Sequence, residues 1–111
     1  LQCVAPSLLY VVRGPLAGRR PAVVWGAGPV GKALVKALDA EGARVRAYAD
    51  VDPRKLGQRV HGRPVLDGRS LARHPDDVLL AAVGAPGARD EIRAEARRLG
   101  FSEGLDFWCC A

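Results

Sequence analysis

The stretch Val23-Val24-Trp25-Gly26-Ala27-Gly28-Pro29-Val30-Gly31-Lys32 constrains this chain most: an apolar run, then GxGxxG, then helical periodicity. A strand that turns directly into a helix through glycines has few folds open to it. Gly26 permits the tight bend, Gly28 lets a phosphate approach the backbone, and Gly31 lets the helix press against the sheet. Ala27, Pro29 and Val30 complete the turn, and the amides at the start of the helix point at any anion placed there. Asp50 closes the next apolar run, where a carboxylate can accept from a ribose hydroxyl, and Asp52 is the reserve candidate. Acid at this place disfavours a 2′-phosphate, so NAD is expected over NADP if either binds.

The rest of the chain supports an alternation of strands and helices. Ala22 to Trp25 is continuously apolar, as in a parallel strand buried on both faces. Pro29 suits a first helical turn, and Val30, Leu34 and Leu38 recur at helical spacing, with Gly42 beyond them. Arg44 to Asp50 alternates Val45, Ala47 and Ala49 with Arg44, Arg46 and Tyr48. Residues 60–65 read as a short hairpin or a brief third strand, followed by a short helix around Ser70 to Arg73. Asp77 to Val83 is a buried strand, Gly84 to Gly87 a tight turn, Ala88 to Leu99 a helix, and Asp106 to Cys110 a final strand. These elements predict an α/β, Rossmann-like, three-layer αβα fold with a parallel sheet of about five strands in the order 3-2-1-4-5. Its crevice lies where strand order reverses, between two glycine turns, so Gly84 and Arg89 join the candidate binding residues.

At 111 residues with 49% hydrophobic content, the chain is about one domain and able to bury a core. Residues 1–20 read as an N-terminal arm or linker, broken by Pro6 and Gly14-Pro15, and residues 21–111 as the domain itself. The chain neither begins with Met nor contains one, and so reads as a segment of a longer protein. Its net charge of +5 is spread as arginines among acids, with no basic run, which argues against nucleic acid as a partner. Cys3, Cys109 and Cys110 have no metal-ligand spacing and read as free thiols. The apolar run Ser7 to Val12 is too short to span a bilayer and lacks the basic start of a signal peptide, so a cytoplasmic location is expected.

Other motifs read as structure. Gly26, Gly31 and Lys32 match the start of a P-loop, but Ala33 stands where Ser or Thr should hold magnesium. Trp25 reads as core, His61 and His74 as solvated loop residues, and no catalytic nucleophile with a base can be assembled. No catalytic or metal-binding residue is expected.

Beyond the glycine turn, Asp50-Val51-Asp52-Pro53-Arg54-Lys55-Leu56-Gly57, His61-Gly62-Arg63-Pro64-Val65, Ala82 to Arg89 and Gly100 to Phe107 carry a resemblance. From about Pro21 onward the chain resembles the Rossmann-like domain appended to bacterial family 2 glycosyltransferases. It is also similar to the N-terminal sugar-nucleotide-binding domain of PglD-type proteins. That resemblance implies a nucleotide-sugar at the crevice and a glycosyltransferase domain in the same chain. The main expectation is therefore a nucleotide-binding module for an attached glycosyltransferase, the ligand being a nucleotide-sugar. The competing reading is an NAD-binding domain of an oxidoreductase or redox sensor. A third is an interaction module without a ligand, its sheet edge serving partner contact or a homodimer.

Overall fold

The computed structural model describes residues 6–110. Helix α1 (Leu8–Arg13) starts at Ser7, whose hydroxyl accepts the amide of Tyr10 at 3.1 Å. There follow β1 (Ala22–Trp25), α2 (Pro29–Ala40), β2 (Val45–Asp50), β3 (Arg59–Val60), β4 (Arg63–Asp67), β5 (Val78–Ala81), α3 (Ala88–Arg98) and β6 (Phe107–Cys109). The sheet runs β3-β4-β2-β1-β5-β6, parallel except for the β3–β4 hairpin. The α/β Rossmann-like fold and its strand order are as predicted; the hairpin adds a sixth strand at one edge. The helix expected around Ser70 to Arg73 is instead a single 3₁₀ turn at Gly68–Ser70, because Leu71 already turns back into the core.

Period-two alternation along β1 and β5 builds two cores, one on each face of the sheet. Val24 and Leu80 face α2, packing with Val35, Leu38, Tyr48 and Val65. Val23, Trp25, Leu79 and Ala81 face α3, packing with Ile92, Ala96, Phe101 and Phe107. Each fully buried aliphatic side chain stabilises the fold by about 1.5–3 kcal/mol relative to exposure. The stretch before Pro21 contributes to the first core through Val11 and Leu16.

Two local departures from simple periodicity have physical causes. The β1–β2 register runs from Ala22 opposite Val45 to Val23 opposite Ala47, skipping Arg46. Arg46 turns its guanidinium onto Asp77 at 2.6 and 2.7 Å, and the bulge swings Tyr48 into the core, where it is fully buried. Burial raises the pKa of the Tyr48 phenol, and among the described residues its hydroxyl has no hydrogen-bond partner. On α2, the core face is Gly31, Val35 and Leu38 rather than Val30, Leu34 and Leu38; Val30 is half exposed beside the glycine turn.

Among the described residues no helix is long and apolar enough to cross a membrane, and no His, Cys, Asp and Glu cluster could hold a metal ion. Cys109 is buried and Cys110 half-buried, its thiol pushed up to about 11 chiefly by desolvation. Cys3 lies outside the described residues.

Candidate functional site

The carboxyl ends of β1 and β5 are adjacent and open onto a cleft of about 230 Å³ lined by Gly26, Gly28, Pro29, Val30, Asp50, Lys55, Ala82, Val83 and Gly84. The three glycines of the turn meet different demands. Gly26 has φ +122°, and a Cβ there would lie 2.7 Å from the Ala82 carbonyl oxygen. At Gly31 a Cβ would fall 1.6 Å from the Gly26 carbonyl oxygen, so the helix can approach the strand only without a side chain. Gly28 is different. Its φ of −86° suits any residue, and the nearest atom to a Cβ would be the Lys55 Nζ at 3.3 Å. Neither backbone conformation nor packing demands glycine at position 28.

Gly28 also caps α2, with no side chain of its own to serve the first helical amides and no acidic residue in the first turn. The positive end of the helix dipole therefore meets the cleft with no acid of its own first turn against it, the nearby carboxylate being Asp50 on β2.

Asp50 stands at the end of β2, facing the turn. Its Oδ2 accepts the Ala27 amide at 2.9 Å, and its Oδ1 accepts those of Val51 at 2.7 Å and Asp52 at 2.9 Å. This carboxylate thus locks the turn and its own loop. Lys55 Nζ lies 4.0 Å from Oδ2.

A second cavity of about 380 Å³ shares Asp50 and Val83 with the cleft and is otherwise walled by Trp25, Val51, Arg69 and one face of α3 from Ala88 to Glu95. Trp25 is a core residue as expected, 4% exposed, yet its remaining surface faces this cavity. Its ring rests on Gly68, where a Cβ would lie 2.3 Å from the indole carbons.

The residues predicted for the site divide accordingly. Gly26, Gly28, Pro29, Val30, Asp50 and Gly84 line the cleft, while Ala27 and Gly31 support it from behind. Asp52 is not among the lining residues. Its carboxylate is held by Arg54 at 3.1 and 3.2 Å, which lowers its pKa. Arg89 lines a neighbouring depression around Gly84 to Gly87, with Asp90 and Arg93. Sequence reasoning did not single out Lys55, which lines the cleft, or Val51 and Glu91, which line the second cavity; for Lys55 the signal was its place in the DVDPRK segment that begins at Asp50.

The chain shares its fold with RSP, a Rex-family repressor. The RSP structure superposes with a TM-score of 0.67 at 21% identity, over 82% of this chain and 46% of that one. RSP in complex with beta-NADH matches at 0.62 and 22% identity, over 84% of this chain and 49% of the other. RSP in complex with beta-NAD+ and operator DNA matches at 0.64 and 18% identity, over 91% and 55%. The chain thus spans about half the length of these RSP chains. No protein-family profile and no curated protein matches the sequence.

Two expectations are corrected here. The resemblance to the glycosyltransferase-appended and PglD-type domains does not hold, since the structural neighbours are RSP chains. Its glycine turn, acidic stop and alternating elements belong to the Rossmann-like architecture at large, so they could not separate one lineage from another. The exclusion of nucleic acid as a partner also falls, because RSP itself is solved on operator DNA. A charge pattern read over residues matching about half of such a protein does not test what the whole protein contacts.

Proposed function

We propose that this chain is an NAD(H)-binding domain serving a redox-responsive regulator. The pyrophosphate lies on the Gly26–Gly31 turn, and the adenosine enters the cavity walled by Trp25 and Val51. The observation that carries this reading is Gly28: neither its backbone conformation nor the surrounding backbone requires glycine, yet a side chain would obstruct the cleft at the start of α2. A phosphate approaching the backbone accounts for that glycine. The RSP complexes with beta-NADH and beta-NAD+ supply the ligand class. The carboxylate of Asp50 at the cleft suits a ribose hydroxyl and opposes a 2′-phosphate, which favours NAD(H) over NADP(H). On this reading operator DNA is a partner of the longer protein, as it is of RSP, and a cytoplasmic setting suits both ligands.

Titration with NADH, followed through quenching of tryptophan emission, tests the proposal, since Trp25 walls the cavity. Saturable quenching is expected, with NAD+ competing and NADPH binding more weakly. Gly28→Val should abolish it while circular dichroism and Tm are retained. Calorimetric silence toward both NADH and NAD+, or parental affinity in Gly28→Val, would overturn the site.

A further inference from the structure

Resting on the dinucleotide reading above, we propose that Lys55 is the cation that grips a ligand phosphate at the glycine turn. Its ammonium lies 3.3 Å from the place a Cβ on Gly28 would occupy, over the backbone that a phosphate must approach. Its own partner in the chain is held only loosely. Asp50 Oδ2 is 4.0 Å away, beyond hydrogen-bond reach, and that carboxylate already accepts three backbone amides. Arg46 and Arg73, by contrast, grip their carboxylates at 2.6 Å. A contact of the Lys55–Asp50 kind contributes little by itself.

The position of Lys55 is built rather than incidental. Its amide donates to the Asp52 carbonyl at 2.9 Å, the Gln58 side chain caps the Arg54 carbonyl at 2.7 Å, and the Gly57 amide reaches Val65 at 3.1 Å. Leu56 packs on the core beneath. The loop therefore carries Lys55 at a set height above the turn with its stem half-buried. The start of α2 and the Lys55 ammonium face one cleft in which Asp50 is the carboxylate, its oxygens already accepting three amides and standing 4.0 Å from Nζ. Nζ therefore keeps donors for an acceptor at hydrogen-bond distance. A phosphate bridging the helix amides and Nζ has negative charge and more than one acceptor oxygen.

The test compares NADH, ADP and adenosine binding to the whole chain and to Lys55→Met, which retains the apolar stem without the charge. Affinity for NADH and ADP should fall about ten-fold and lose part of its salt dependence, with adenosine unaffected and Lys55→Arg recovering most of the loss. Parental NADH affinity and salt dependence in Lys55→Met would overturn the proposal while leaving the dinucleotide site intact. An equal loss for adenosine would make Lys55 a loop-positioning residue and overturn it likewise. Failure of the unmodified chain to bind NADH, ADP or adenosine would overturn the dinucleotide reading and this one with it.

Discussion

Asp50 Oδ2 accepts the Ala27 amide at 2.9 Å, so the end of β2 ties down the turn that follows β1, 23 residues earlier in the chain. The contact joins the two segments of the candidate site and holds the turn in place in the ligand-free fold. Replacement of Asp50 by Asn puts a donor where one of these amides expects an acceptor. Urea denaturation of Asp50→Asn should show a loss of about 1–3 kcal/mol. Unchanged stability would mean that the loop relaxes around the lost acceptor.

Gly31 and Gly28 should respond oppositely to a methyl group. A Cβ at Gly31 overlaps the Gly26 carbonyl, so Gly31→Ala must push α2 off the strand, at a cost of about 3 kcal/mol or more. A Cβ at Gly28 meets only the flexible end of Lys55, so Gly28→Ala should leave Tm nearly unchanged. Thermal melts of the two variants side by side check this.

Arg46 is the partner of a carboxylate only 1% exposed, Asp77, which also accepts the His74 amide at 2.8 Å. Arg46→Met would leave that charge buried without its counter-ion, for an expected loss of about 3–5 kcal/mol. In a double-mutant cycle, adding Asp77→Asn should recover part of the loss. Strict additivity would show that the pair is not coupled.

The Arg63 guanidinium, hydrogen-bonded to Asp39 at 2.8 Å, lowers that carboxyl from its ordinary value of 3.8. Near that pH the unfolded chain binds more protons at this position than the folded one, so stability rises with pH there. The contribution is present above pH 3.8 and fades as the pH falls below it toward the folded value. Asp39→Asn should therefore flatten the acid limb of a stability-versus-pH curve and leave its slope near neutrality unchanged. An acid limb identical in the variant would assign that slope to other carboxylates.

Much of this architecture was legible in local pattern. Continuous apolar strands, Pro29 at the first helical turn and glycines at the bends name the elements and their order with no knowledge of contacts. Tyr48 was not legible, because a bulge at Arg46 reverses the alternation and its cause, Asp77, lies 31 residues away. For Val30 only the core-face reading failed: its helical spacing fits a core face, but it lines the cleft, as its place in the turn predicted. Lys55 could be seen in the sequence only as one residue of a motif.

The sequence by itself determined the αβα layering, the strand order and the place of the glycine turn. These follow from side-chain periodicity and from backbone conformations that only glycine and proline favour or forbid. Tertiary structure alone decided which glycines the packing demands and which it does not, that Asp50 is committed to three amides, and that Lys55 stands over Gly28. Those are distances between segments, set by how two strands and a loop pack, and no pattern along one segment encodes them.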